Sequence, residues 1–243
     1  MKSSDVVART ALTAVLTAAA FWSPAALAAE PTATEYRFAV YYGDRRIGEH
    51  RYEIVQDGDA TRVRSRADFQ VKLLFINAYR YEHQANELWR GGCLTGLRSV
   101  TDDNGRRYEV DAQPRETGLV LTRHAPERAQ VTLDADCPAS FAYWDRERLG
   151  RDRLINSQNG EAVAARLEAR GADTVDGVDA RRYRLETDGL APIDLWYDAS
   201  DDTWLRLETT REGATLRYRL QEVTRRTAEA IEPDQGTPEP PGV

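Results

Sequence analysis

A period of two runs through this chain in segment after segment. Tyr36, Phe38, Val40 and Tyr42 fall on one side of the first such run. Val63, Ala67, Phe69 and Val71 share a side of another, while Arg62, Arg64, Arg66, Asp68 and Gln70 take the opposite one. The pattern returns at Tyr183 and Leu185, at Ile193, Leu195 and Tyr197, at Leu205 and Leu207, and at Leu216, Tyr218 and Leu220. Successive strand residues point to opposite faces, so each run predicts a strand with one buried and one wet side. Strands of that kind belong to antiparallel sheet with a polar exterior. Residues 161–169 have the propensity of a short helix, but Val163, Ala165 and Leu167 alternate, and a strand is the expectation.

The punctuation agrees. Asp57-Gly58, Gly91-Gly92, Asn104-Gly105 and Asp176-Gly177 lie between alternating runs. Tight hairpins take such residues because they tolerate positive φ. The expected class is therefore all-β, a long antiparallel meander curled into a barrel or half-barrel. A barrel spanning the outer membrane is excluded, because Arg62, Arg64 and Arg66 on its outside would each cost about 2–4 kcal/mol at the lipid midplane.

Residues 1–28 read as a secretory signal peptide. Lys2 and Arg9 give a positive start, an apolar run spans Ala11–Trp22, and Ala26-Leu27-Ala28 forms a small-x-small cleavage site. That run is too short for a membrane helix, and no other approaches the required length. The mature chain is expected to be soluble, not membrane-spanning, and periplasmic or secreted. It should comprise a single domain over 29–226 and a disordered Pro- and Glu-rich tail over 227–243. Forty acidic residues against 33 basic ones, a formal net charge of −7, argue against nucleic acid and against anionic lipid surfaces as partners. The two cysteines, Cys93 and Cys137, form an isolated pair, and in an oxidising compartment they predict one disulfide.

Few residues advertise chemistry. The three histidines, His50, His83 and His124, lack metal-ligand spacing, so neither a metal nor a cofactor is expected. No GxSxG or SxxK is present, and Ser140 beside the second cysteine reads as a turn residue. Asp102-Asp103 and Asp201-Asp202 are adjacent carboxylates, which diverge on a strand and make no glycosidase-like pair. Alternation groups Tyr79, Tyr81 and His83 on one face, either as a hydrogen-bonded aromatic layer in the core or as the wall of a cavity. Two segments break the alternation: Cys137–Asp145, dense in aromatics, and Leu154–Gly160, where amides interrupt an apolar stretch. Asn156 and Gln158 either satisfy backbone groups at a bend or line a pocket with Tyr143 and Trp144. The apolar stretch Val71–Asn77 also breaks it, as a bulged strand crossing or a lip over a cavity.

On those segments the chain resembles a known family. Phe75–Tyr81, Cys137–Trp144, Leu154–Gly160 and Leu195-Trp196-Tyr197-Asp198 resemble an uncharacterised family of secreted proteobacterial proteins, a domain of unknown function, over nearly all of the mature chain. The opening Gly43–His50 is similar to that of other envelope proteins of unknown function. Those in turn look like the curved-sheet carriers that move lipoproteins through the periplasm. The resemblance implies a curved β-sheet and no activity, and the cysteine pair and the single methionine, Met1, depart from the carrier pattern. The expected function is non-catalytic binding of an apolar or amphipathic, lipid-like ligand at Tyr79, Tyr81, His83, Tyr143, Trp144, Asn156 and Gln158. The alternatives are a structural or scaffold role in the envelope, and a hydrolase or isomerase using His83 as general base.

Overall fold

In the computed structural model, which describes residues 30–73 and 76–230, each alternating run is a strand. The expected signal peptide, most of the Pro- and Glu-rich tail, and Leu74 and Phe75 of the apolar stretch lie outside the described residues. The first strands are β1 (Thr32–Tyr42), β2 (Arg45–Asp57), β3 (Ala60–Leu73) and β4 (Ile76–Arg90). They continue as β5 (Cys93–Asp103), β6 (Arg106–Pro114), β7 (Leu119–Ala125) and β8 (Ala129–Leu133). After a short helix, α1 (Arg146–Leu149), come β9 (Arg153–Ile155), β10 (Ala162–Val175) and β11 (Val178–Thr187). The last are β12 (Ile193–Asp198), β13 (Trp204–Arg211) and β14 (Ala214–Thr227). Residues 161–169 fall almost wholly within β10, as their alternation predicts.

Among the described residues the fourteen strands make one antiparallel sheet, ordered β8 to β1 and then β14 to β9. Two meanders thus join through their terminal strands, with Thr32 opposite Thr227 and Tyr42 opposite Leu216. The predicted hairpins are present. Asn104 and Gly105 have φ of 54° and 89°, and Asp176 and Gly177 of 50° and 88°, the paired positive values of a type I′ turn. The sheet curls until its concave faces meet, and Phe38 and Tyr52 share a core with Leu195, Tyr197 and Trp204. Strands β8 and β9 are the two edges of the sheet, and β9 is covered at Ile155 by a parallel bridge to Ser140.

The non-alternating segment 137–145 fills the concave side. None of its residues is fully exposed, so no polar outer face imposes a period of two on it. The Cys93–Cys137 disulfide, with Cα atoms 4.8 Å apart, ties it to the start of β5. Leu94 N donates to Pro138 O, and Ile155 N to Ala139 O, each at 2.8 Å. Tyr197 on β12 donates its hydroxyl to Tyr143 O at 2.9 Å. The segment therefore links the two meanders across the interior, and α1 follows, capped by Asp145, whose carboxylate accepts from Glu147 N and Arg148 N.

Two expectations are corrected by this packing. Ser140 is no turn residue: it is bridged to Ile155, buried, and donates to Glu87 Oε1 at 2.8 Å. Leu205 does not share a face with Leu207. A bulge at Leu205, where Trp204-Leu205-Arg206 opposes Trp196-Tyr197, puts the indole of Trp204 inside and Leu205 in a small outer cluster with Val175, Ala180 and Trp196.

Another bulge interrupts the β1–β2 register between Val40 and Tyr41, beside Gly48, which on its other side pairs with Phe69 of β3. A Cβ at Gly48 would lie 1.9 Å from the carbonyl oxygen of Asp68. Gly48→Ala is therefore expected to destabilise by about 1–3 kcal/mol through backbone displacement. A melting temperature equal to the wild type would contradict this register.

Candidate functional site

On the concave face, His50, Ala67, His83 and Thr101 form one row across β2 to β5. The neighbouring row is Tyr52, Ser65, Ala85 and Ser99. Small side chains at Ala67, Ser65 and Ala85 stand between large ones, and the curl brings β12–β14 over them without filling the gap. The result is a cavity of about 480 Å³, walled by Tyr52, Tyr81, His83, Tyr143, Ile193 and Tyr218 among others. A second compartment of about 450 Å³ is lined by Ile47, Phe69, Val71 and Tyr79, and shares Tyr81, Gln158, Arg211, Leu216 and Tyr218 with the first. Both volumes fall in the range of small-molecule sites. The β11–β12 loop borders the first compartment with Gly189, Leu190 and Ala191, and Leu190 is exposed.

Of the residues singled out from sequence, Tyr81, His83, Tyr143, Trp144, Asn156 and Gln158 line the first compartment. Tyr79 lines the second, and its hydroxyl donates to Asp103 Oδ1 at 2.6 Å. Asn156 shapes a bend as well as lining the cavity, since its Oδ1 accepts from Gln158 N at 2.9 Å. Sequence reasoning missed His50, Tyr52, Glu87, Ser157 and Tyr218. The signal for Glu87 was available, because it sits at the same alternation phase of β4 as Tyr81 and His83. His50 likewise shares the phase of Tyr52 on β2.

The buried polar groups are individually held. His83 Nδ1 lies 2.8 Å from Thr101 Oγ1, and Thr101 donates its one hydroxyl proton to Gln158 O at 3.1 Å. Thr101 therefore accepts from His83 Nδ1–H, which leaves the lone pair on Nε2, 3.4 Å from Ser157 Oγ. Ser99 Oγ donates to Ser157 O at 2.5 Å and pins the same loop. Glu87 accepts from Ser140 Oγ and, at 3.0 Å, from Trp89 Nε1. Burial raises its carboxyl pKa above the ordinary value, against those hydrogen bonds and the nearby Arg148 charge, which lower it. The Arg148 guanidinium lies 4.5 Å from the Trp144 ring centre and 5.1 Å from that of Trp89. Among the described residues no three His, Cys, Asp or Glu side chains converge as metal ligands do.

Burial lowers the pKa of both cavity imidazoles, that of His83 from 6.5 to about 4. Between those values the unfolded chain binds a proton at His83 that the folded chain does not. The associated stability is present above pH 6.5 and is lost as the pH falls to 4, amounting to about 3 kcal/mol. Glu87, with its raised pKa, acts in the opposite sense, so the comparison that isolates the imidazole is wild type against His83→Gln. The variant's melting temperature should fall less steeply from pH 6.5 to 4. Parallel curves would contradict a neutral, buried His83.

These features define a class: a curled single-sheet, β-barrel-like protein with an aromatic internal cavity. Residues 38–221 match the family described as a domain of unknown function, DUF6134, and the chain belongs to that family. Its fold is similar to that of a β-barrel-like protein of the domain of unknown function DUF1849 from Brucella abortus. That likeness has a TM-score of 0.58 and 12% identity, covering 82% of this chain and 99% of the other. At that identity it bears on the fold alone. No match is found among curated proteins.

Proposed function

We propose that this protein binds an apolar or amphipathic, lipid-like molecule inside the curl of its sheet without transforming it. The observation that carries the reading is the unfilled interior. A cavity of about 480 Å³ adjoins a second of about 450 Å³ in a fold whose core elsewhere is packed with aromatic rings. Aromatic walls with a few placed polar groups suit a ligand that is mostly hydrocarbon. The lining proposed for it comprises Tyr79, Tyr81, His83, Tyr143, Trp144, Asn156 and Gln158, now joined by His50, Tyr52 and Tyr218. The proposal includes export to the periplasm with cleavage after Ala28. Among the described residues no helix is long and apolar enough to cross a membrane.

The test is titration with N-phenyl-1-naphthylamine, a fluorophore that brightens in apolar surroundings. Saturable one-to-one binding is expected. Ala85→Leu, which extends a buried side chain into the cavity, should weaken it about ten-fold or more. Absence of saturable binding, or affinity untouched by the variant, would refute an interior site. N-terminal sequencing of the protein from a periplasmic fraction should begin at Ala29, and a sequence beginning at Met1 would refute export.

One observation favours a second reading, that of an envelope scaffold. The edge strand β8 is unpaired on one side and exposes Val131, at 56% of its surface. On that reading Val131→Lys would abolish complementation of a deletion strain while leaving fluorophore binding intact.

A further inference from the structure

We infer that the ligand is a neutral amphiphile, a long-chain alcohol or ester of the acylglycerol type, whose uncharged oxygen group docks in the interior against His50. This deepens the proposed binding function and rests on it. His50 is 7% exposed and stands in the cavity wall, yet its Nε2 has no hydrogen-bond partner among the described residues. Its other nitrogen, Nδ1, lies 3.4 Å from the Tyr218 hydroxyl. The ring is stacked on Tyr52 at 4.3 Å between centres, with the Phe69 ring edge-on at 6.3 Å. Buried polar atoms are nearly always paired, and leaving one unpaired is costly. The imidazole stands in the cavity wall with Nε2 unpaired and itself covered by its neighbours, so a ligand's polar atom that displaces the packing immediately around the ring would supply the missing partner. His83 does not compete for that role, because Thr101 and Ser157 occupy both of its nitrogens.

Charge sets the chemical class. Among the described residues the charged side chains lining the first compartment are Glu87 and Arg211, and Glu212 joins Arg211 in the second. Glu87 is engaged by Ser140 and Trp89. Arg211 is half exposed, lies 3.8 Å from Asp103, and places its guanidinium 5.7 Å from the Tyr79 ring centre. No cation therefore waits in the interior for a carboxylate or phosphate, and burying an unpaired anion there would be prohibitive. Burial keeps the His50 and His83 rings neutral at neutral pH, which leaves them suited to a hydroxyl or carbonyl. Either tautomer of His50 serves a hydroxyl, which both donates and accepts. The hydrocarbon would extend into the second compartment, against Ile47, Phe69, Val71 and Leu216.

The experiment is displacement of bound N-phenyl-1-naphthylamine by three amphiphiles of one chain length: dodecanol, laurate and dodecyltrimethylammonium. Dodecanol is expected to compete about ten-fold more strongly than either charged analogue. In His50→Phe, which keeps a planar ring in the stack, that preference should collapse towards unity. Laurate competing as well as dodecanol, and losing affinity in Arg211→Gln, would overturn the inference in favour of an anion at the mouth. So would a preference for dodecanol that survives His50→Phe. Should that variant fail to fold, the three-ligand series on the unaltered protein decides alone. Failure of the fluorophore itself to bind refutes the cavity-binding reading. Binding of the fluorophore without a preference for dodecanol refutes this inference only.

Discussion

Trp204→Ala is expected to lower the stability of the protein by about 3–5 kcal/mol, the range for emptying a fully buried aromatic site. The indole is wholly buried and sits where the two meanders meet. Its ring centre lies 4.2 Å from that of Phe38 on β1, 5.4 Å from Tyr52 on β2 and 5.7 Å from Tyr143 of the internal segment. Its Nε1–H donates to Arg206 O at 3.1 Å. Truncation would remove the group that three separate elements share, and they are held apart by a sheet that cannot collapse onto the void. Domains of this kind are stable by only about 5–15 kcal/mol, so the loss would be a large fraction of the whole. Urea unfolding should show a lower midpoint with an unchanged slope. A loss below about 1 kcal/mol would contradict the central position assigned to this ring.

Removing the disulfide as the double variant Cys93→Ala/Cys137→Ala should cost about 4 kcal/mol. The bond closes a loop across a sequence separation of 44 residues, and the chain-entropy account scales with that length. The effect reaches beyond the unfolded state. Cys137 begins the segment that carries Ser140 to Glu87 and Tyr143 to Tyr197, so its release would loosen one wall of the cavity. The double variant should therefore be cleaved by protease within residues 134–145 under conditions that spare the wild type. Equal midpoints and equal resistance would show that the hydrogen bonds of Pro138 and Ala139 hold the segment unaided.

The fold was legible where the physics is local. Alternation in β1, β3 and β10–β14 requires one wet face, and Asn104-Gly105 and Asp176-Gly177 require a positive-φ turn, so both leave a mark on neighbouring residues. The pairing of β1 with β14 leaves none, because Thr32 and Thr227 meet only after the whole chain has folded. The displaced Leu205 was misread for a related reason: a bulge shifts the phase by one residue, and a period-two reading cannot locate that shift in advance. The cavity was half legible. Tyr79, Tyr81 and His83 announced themselves by sharing a strand face, and Tyr143, Trp144, Asn156 and Gln158 by breaking the pattern. His50 and Glu87 occupied readable inward positions, but their importance came from what the structure withholds or supplies as partners. Nothing near His50 in the sequence foretells that its Nε2 goes unpaired, and nothing near Glu87 foretells Ser140 53 residues away.

The claim that the interior is a binding site is tested most directly by native mass spectrometry of the protein purified from its own cells, before and after organic extraction. The account predicts a bound mass of a small amphiphile at about one per chain, lost on extraction with the protein mass otherwise unchanged. The bare chain mass at both stages would contradict it.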